Sequence, residues 1–279
     1  MNTDEVIEAT EATYFVYDAS PFTIWVIVAS MMLTPYYLLL VYVKSRASIN
    51  MGVTLASLWL TLGGIMAAVC LYDAIRKWGT FANLIIPAVW IVPSALLCSF
   101  RKQILQQPLH PRWLVALQLY RAIGGVFLIE RSNGFLPGVF AYPAGLGDIF
   151  TAAVALAVLI VCPRHQAVPG KYVYALIFVG ILDFVSAFFF GFTSNENNMF
   201  QLFFSPNPNE LINFPTGMVP LFLVPYAIFF HFLSLLNHWQ FNGEFDYDSD
   251  RALENAEEAA AFAKSNAAAA AMEQGNSQD

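Results

Sequence analysis

Seven long apolar runs, separated by short polar segments, occupy most of the chain between residues 22 and 238. About 20 consecutive apolar residues are enough for a helix to cross a bilayer, and each run approaches or exceeds that length. The pattern therefore predicts an all-α membrane protein that folds as a seven-transmembrane-helix bundle. The predicted spans are 22–43, 52–75, 80–100, 113–130, 148–163, 172–192 and 216–238.

Two of the connecting segments have an unusual composition. Residues 131–147 are apolar but rich in glycine and proline, which predicts an irregular backbone folded onto the outer end of the bundle. Residues 193–215 combine asparagine and proline with several phenylalanines. That mixture predicts an interfacial cap over the outer mouth of the bundle.

Polar tails flank the apolar region, so the chain divides into three parts. Residues 1–21 form an acidic N-terminal tail, and residues 22–238 form the transmembrane domain. Residues 239–279 form an acidic tail that becomes alanine-rich, and we predict a helix that starts near Tyr247, because alanine is the best helix former. This tail is a candidate binding element for a protein partner.

The composition is that of a membrane protein. Hydrophobic residues make up 58% of the chain and charged residues 12%, whereas a soluble domain carries about 25% charged residues. The net charge of −7 belongs to the two tails, since residues 21–243 contain eleven Lys or Arg and six Asp or Glu. No basic tract suited to nucleic acid is present, and the expected surroundings are the lipid bilayer.

The distribution of basic residues predicts the orientation of the bundle. The short loops on one side of the membrane carry seven Lys or Arg, and those on the other side carry three. Because basic residues favour the cytoplasmic side, the N-terminus is predicted to lie outside and the C-terminus in the cytoplasm. A bacterial inner membrane and a eukaryotic membrane both fit this pattern.

Neither a metal site nor a cofactor is predicted. Cys70, Cys98 and Cys162 lie in or at the ends of apolar runs, as small buried hydrophobic residues do. No lysine lies within a predicted span, which excludes a retinal Schiff base. No two predicted spans supply a pair of histidines, which argues against a haem held by two histidines.

The candidate functional residues are ionisable groups within the apolar runs, where a charge costs at least ~2.5–3.5 kcal/mol. Arg121 is central in the fourth run, and Gln118 and Gly124 share its helical face. Asp183 lies at a similar depth in the sixth run. Each otherwise lacks a counter-ion, so we expect the two to be close together. The pair is either a structural link between helices or part of a binding site.

His231, in the seventh run, completes the candidate intramembrane polar site of Gln118, Arg121, Asp183 and His231. An intramembrane histidine is either a hydrogen-bonded packing residue or a proton carrier. His238 is seven residues further along, about 10.5 Å along a helix axis, which is too far for the two to share a metal.

Two further acids are placed near the outer ends of spans. Asp148 opens the fifth predicted span, where it is expected to act as a helix N-cap and as an acid at the outer mouth. Glu130 ends the fourth span. Together they form a candidate pair of outer-mouth acids.

Several motifs in the second half of the chain resemble a family of uncharacterised bacterial multi-pass membrane proteins. The most specific of them is Leu-Pro-Gly-Val-Phe-Ala-Tyr-Pro-Ala-Gly-Leu-Gly-Asp at residues 136–148. The others lie at residues 119–124, 180–183 and 220–225 and at His231. The resemblance covers roughly residues 113–238. It implies that Arg121, Asp148, Asp183 and His231 belong to one shared design, and it implies no activity.

Three functions fit these observations. The first is a small transporter or channel-like protein that carries a small molecule or ion past Arg121, Asp183 and His231. The second is a membrane-embedded enzyme acting on a lipid-phase, for example isoprenoid-like, substrate, with Asp183 or Asp148 as general acid. The third is a structural or regulatory subunit in which the buried charges fix the pairing of helices.

Overall fold

A computed structural model describes residues 19–45 and 86–276, apart from 165, 197–199 and 243, together with positions 47, 49, 53, 54, 57 and 65. Within these ranges the regular elements are helices, and no β-strand is present. The predicted second span, 52–75, and most of the N-terminal tail lie outside the described residues. So do Cys70 and the first residues of the predicted third span.

Nine α-helices follow one another along the described chain, interrupted by short 3₁₀ and π segments. The α-helices are α1 Pro21–Lys44, α2 Ile86–Ser99, α3 Arg101–Ile104, α4 Pro111–Ala116, α5 Val126–Ser132, α6 Gly138–Val161, α7 Gly170–Thr193, α8 Val224–Phe241 and α9 Tyr247–Asn276. A 3₁₀ segment, Leu117–Gly125, joins α4 to α5, and a π-helical turn, Val219–Leu223, precedes α8.

Four of these stretches are long and apolar enough to cross a membrane, so this is a membrane protein. They are Pro111–Ser132, Gly138–Val161, Gly170–Thr193 and Val219–Phe241. α1 would be a fifth span, with a bend of 49° between Pro21–Thr34 and Tyr36–Lys44. Residue 35 between them is a proline, which has no backbone N–H to donate to the preceding turn.

The span that contains α8 lies at the centre of the bundle. Its apolar window is 72% buried inside the protein, compared with 50% or less for the other three long spans. Phe222, Phe229 and Phe230 are among its fully buried side chains. This helix contacts α2, α7 and the π-helical turn. It is therefore the central helix against which the functional side chains pack.

The prediction of an irregular backbone over residues 131–147 is wrong for most of that segment. α6 begins at Gly138, ten residues before the predicted start of the fifth span, and continues through Pro143. Glycine and proline break helices in water, but in a membrane the backbone must bond internally and neighbouring helices support it. Here Gly145 packs beneath the side chain of Leu128, which a larger residue would exclude.

The alanine-rich tail forms the predicted helix. α9 begins at Tyr247, as the sequence indicates, and extends to Asn276. Its phenylalanine, Phe262, is 70% exposed. The first turn of α9 is joined to the bundle through aromatic contacts of His110 with Phe245 and Tyr247, at centroid separations of 4.5 and 5.6 Å.

A side-chain clamp on α8 holds the connection between α3 and α4. The buried amide of Asn237 accepts a hydrogen bond from the N–H of Leu109 at 2.8 Å and donates one to its carbonyl oxygen at 3.0 Å. Gln240, one turn further, donates to the carbonyl oxygen of Leu105 at 2.8 Å. These hydrogen bonds provide partners for backbone groups of Leu105 and Leu109 that lie between two helices.

Replacement of Asn237 with alanine is expected to destabilise the fold, because it leaves two buried backbone groups without partners. Each such group costs roughly 1–3 kcal/mol. The free energy of unfolding in mixed micelles would measure the loss. Gln240→Ala is the matched control, since it removes one bond from a partly exposed position, and equal losses in the two variants would contradict the clamp.

Candidate functional site

The 3₁₀ geometry of residues Leu117–Gly125 aligns the functional side chains of the fourth span. Because a 3₁₀ helix has three residues per turn, residues at i and i+3 lie directly above one another. Gln118, Arg121 and Gly124 have this spacing, and all three are buried. A 3₁₀ run of nine residues is unusually long, and in the middle of a span it marks strain or a functional hinge.

Arg121 forms ion pairs with two aspartates from two other helices. Its Nε donates to Asp148 Oδ1 of α6 at 2.7 Å, and its Nη2 donates to Asp183 Oδ2 of α7. The side chain of Arg121 is 1% exposed, that of Asp183 7% and that of Asp148 14%. The expected proximity of Arg121 and Asp183 is observed, and Asp148 joins them.

The remaining surface of the guanidinium group is also occupied. Arg121 Nη1 donates to the carbonyl oxygen of Gly180 at 3.3 Å and lies 3.5 Å from Nε2 of His231. A guanidinium group only donates, so this contact requires Nε2 of a neutral imidazole as the acceptor. The ring centroid of Phe184 lies 3.9 Å from Arg121 Cζ, a cation–π distance.

Three glycines provide the space for these polar groups. An added Cβ atom at Gly124 would collide with Asp148, and one at Gly147 would collide with Asp183. An added Cβ atom at Gly180 would collide with His231 and Arg121. Each glycine therefore lets a neighbouring helix approach closely enough to bring one charged or polar group to the centre.

The cluster carries more acid than base. One guanidinium group faces two carboxylates, so the three groups together bear a charge of −1 when both carboxylates are ionised. Burial of an uncompensated charge is costly, and a proton or a cationic ligand would remove it. The cluster can thus accommodate one added proton or one cationic group.

A cavity of about 660 Å³, including its open mouth, begins at the two aspartates. Asp148 and Asp183 line one part of it, and Asn195 and Asn209 from the segment after α7 line another. Most of the remaining wall is apolar, and its aromatic members are Trp90, Phe127, Phe140, Phe184, Phe188 and Phe192. This lining suits an apolar small molecule with one polar group directed at the carboxylates.

A second, smaller cavity lies on the arginine side of the cluster. Tyr120, Arg121 and Gly124 line it, together with Leu223 and Asp148. The larger cavity is lined by both carboxylates and the smaller one by the guanidinium group and Asp148. The two cavities adjoin at Asp148 and Phe184, and Arg121 is among the lining residues of the smaller cavity alone.

The π-helical turn before α8 fixes one aromatic wall of the larger cavity. In a π-helix the carbonyl oxygen of Pro220 would accept from residue 225, which is a proline without an N–H. The indole Nε1 of Trp90 donates to that oxygen at 2.7 Å instead. Two prolines and one tryptophan thus hold α2 against α8 beside the cavity.

The other candidate residues lie in different surroundings. Gln118 is 1% exposed, and its Oε1 has no hydrogen-bond partner among the described residues. Glu130 is buried away from the cluster, where it accepts from Thr23 Oγ1 at 2.5 Å and from the N–H of Ser20 at 3.4 Å. It joins the N-terminal end of α1 to α5.

The N-cap interpretation of Asp148 is wrong. α6 starts ten residues earlier, so Asp148 lies within the helix and faces Arg121. The sequence reasoning also missed the aromatic wall. The sequence feature that indicates this wall is the spacing of Phe184, Phe188 and Phe192. They are four residues apart and so lie on one side of α7.

Within the described part of the chain, no group of three or more His, Cys, Asp or Glu residues is arranged to hold a metal ion. The described cysteines, Cys98 and Cys162, are not joined in a disulfide.

A family model described as "Domain of unknown function (DUF8737)" matches residues 78–237. The match covers more than half of the chain and includes Arg121, Asp148, Asp183 and His231, and the chain belongs to this family. No curated protein and no solved structure matches the chain.

Proposed function

We propose that this member of the DUF8737 family is a membrane-embedded enzyme that binds an apolar, isoprenoid-like substrate from the lipid phase and acts on it by proton transfer. The observation that carries the proposal is the larger cavity, whose wall is apolar and aromatic except for two carboxylates and two asparagines. A pathway for polar solutes would have more polar groups along its wall.

Each charged residue has a role in this proposal. Asp183, buried and lining the cavity, is the general acid or base that exchanges a proton with the substrate. Asp148 lies beside it and supports the other side of the guanidinium group. Arg121 positions both carboxylates and stabilises whichever of them has lost its proton.

The proposal includes the membrane arrangement expected from the sequence. The protein has seven transmembrane helices, an extracytoplasmic N-terminus and a cytoplasmic C-terminus. The lipid bilayer supplies the substrate. Support comes from the four long apolar helices and from the acidic, lysine-poor N-terminal tail.

Deuterium incorporation is the expected sign of this activity. Protein in lipid nanodiscs would be incubated in D₂O with squalene, a polyprenol and a menaquinone, and the recovered lipids analysed by mass spectrometry. Wild-type protein is expected to introduce deuterium at carbon in one of these classes. Asp183→Asn is expected to lower the rate by roughly 10²–10⁴-fold, the usual contribution of a general acid or base.

Asp248→Asn is the matched control, because it removes the same charge from an exposed position in the tail helix. Size-exclusion chromatography and thermal unfolding would establish that each variant is folded. If a folded Asp183→Asn protein exchanged deuterium as fast as wild type, Asp183 would not be the acid. If wild type exchanged none with any lipid class, the enzymatic proposal would be withdrawn.

A small transporter is the second candidate, favoured by the distorted backbone around the charges. The 3₁₀ segment that contains Arg121 and the π-helical turn beside it both interrupt regular helix. Discontinuous helices at midmembrane charges are a feature of many secondary transporters. Movement of protons into proteoliposomes that depends on an added solute, and that Asp183→Asn abolishes, would favour transport over catalysis.

A further inference from the structure

The larger cavity is anionic as well as apolar. Among the described residues that line it, two are acidic and none is basic. Arg121 lines the smaller cavity, which adjoins the larger one and shares Asp148 and Phe184 with it. A ligand in the larger cavity would therefore lie beside two carboxyl groups and beside no basic residue among the described lining residues.

Each aspartate keeps one oxygen that Arg121 does not bind. Arg121 donates to Asp148 Oδ1 and Asp183 Oδ2. Asp148 Oδ2 lies close to Gly124 and Asp183 Oδ1 close to Gly147, and the two carboxyl groups are near enough to share a hydrogen bond with each other. Because two carboxyl groups share one guanidinium group, they keep a net negative charge when both are ionised, and a positive charge beside them would be stabilised.

Aromatic rings surround the same space. The face of an aromatic ring stabilises a cation, and more strongly when the contact is shielded from water. The ring centroid of Phe184 already lies 3.9 Å from Cζ of Arg121 in such a contact. Trp90, Phe127, Phe140, Phe188 and Phe192 line the rest of the cavity.

We propose that the larger cavity selects an apolar molecule that carries a positive charge, either permanently, as a hydrophobic ammonium ion, or transiently, as a carbocation formed from an alkene. The inference rests on the proposed function and specifies its substrate class. The aromatic wall and the two carboxyl groups supply the cation recognition, and the apolar wall holds the hydrocarbon chain.

In the transient case the protons and electrons balance without a further reactant. The O–H bond of the protonated Asp183 breaks as a C–H bond forms at one alkene carbon, and the neighbouring carbon becomes cationic. The carboxylate then removes a proton from an adjacent carbon, whose C–H electron pair forms a new double bond. Asp183 ends protonated, and the substrate is isomerised, with its double bond moved.

The test compares two probes that differ in charge alone. One is an isoprenyl dimethylamine, which is protonated at neutral pH, and the other is its neutral isostere with carbon in place of nitrogen. Binding to the protein in nanodiscs would be measured by calorimetry, with protein-free nanodiscs to subtract partition into lipid. We expect the amine to bind at least about tenfold more tightly, the ratio that a 1.4 kcal/mol preference produces.

Two variants test which residues produce the preference for the amine over the neutral probe. Asp183→Asn is expected to remove most of the ratio between the probes, and Phe188→Leu to reduce it by several-fold. Phe178→Leu is the control for the second variant, since it changes the same residue type on the same helix at a position whose side chain is 68% exposed. It is expected to leave the ratio unchanged.

Equal binding of the two probes to wild-type protein would overturn the cation inference while leaving a lipid-binding cavity intact. Binding of neither probe would overturn both the inference and the proposed substrate site. Where the amine is preferred, deuterium incorporation into squalene supports the transient cation. A preferred amine without any deuterium incorporation supports the permanent cation, and the enzymatic proposal alone then fails.

Discussion

Replacement of Arg121 with leucine is expected to destabilise the protein by about 3–5 kcal/mol, the usual cost of removing one partner from a buried ion pair. Asp148 and Asp183 would then face each other with no counter-ion in an apolar interior. The contacts with Phe184 and with the carbonyl oxygen of Gly180 would be lost as well. The free energy of unfolding in mixed micelles measures the effect.

Removal of the whole charge cluster is the matched control. In the triple variant Arg121→Leu, Asp148→Asn, Asp183→Asn no ionised group remains among these three positions. Part of the lost stability is expected to return, because two uncompensated carboxylates are replaced by neutral amides, whose burial costs less than that of an unpaired charge. Arg121→Lys is expected to fall between wild type and Arg121→Leu, since an ammonium group cannot reach both carboxylates in a bidentate manner.

The triple variant also separates a scaffold from a functional site. If it folded as stably as wild type but neither exchanged deuterium nor bound the amine, the charges would serve function. If the triple variant were no more stable than Arg121→Leu, the ion pairs themselves would hold the helices together. The structural or regulatory function considered from the sequence would then be favoured.

Replacement of Gly124 with alanine is expected to destabilise the protein by about 1–3 kcal/mol, as overpacking of a buried contact does. The added Cβ atom would lie 2.4 Å from Cβ of Asp148, an atom that rotation of that side chain cannot move away. The 3₁₀ segment and α6 would have to separate. Unfolding free energy would report the loss, and weaker amine binding would report the displaced carboxylate.

Gly125→Ala is the control at the adjacent position. Its added Cβ atom would lie 3.5 Å from the nearest atom, Cδ1 of Ile149, which is an ordinary contact. Alanine is also favoured over glycine in helices by about 0.5–1 kcal/mol. We therefore expect this variant to be as stable as wild type or more so. A similar loss in both variants would mean that helix geometry, and not the Asp148 contact, requires glycine here.

Much of the helical architecture follows from hydrophobic run length. The predicted boundaries of the first, fourth, sixth and seventh spans lie within three residues of the helices Pro21–Lys44, Pro111–Ser132, Gly170–Thr193 and Val219–Phe241. Run length works because a lipid-facing helix must be apolar along its whole length. The fifth span departs from this rule because its first ten residues use glycine and proline for packing.

The inward position of Arg121 and Asp183 was also predictable, because a charge facing lipid is costly and each residue had small neighbours on its face. The partners of these buried charges were harder to predict from the sequence. Asp148 was predicted to lie at a helix start, because an aspartate that follows glycines commonly caps a helix in soluble proteins. Glu130 was grouped with Asp148, whereas the structure joins it to Thr23 and Ser20.

The sequence by itself determined that this is a helical membrane protein with ionisable groups inside its apolar spans, because hydrophobic length and the cost of buried charge are local properties. Only the tertiary structure decided that Asp148 and Asp183 converge on one guanidinium group beneath an aromatic cavity. That convergence depends on how closely three helices approach, and glycine contacts between distant parts of the chain set the distance.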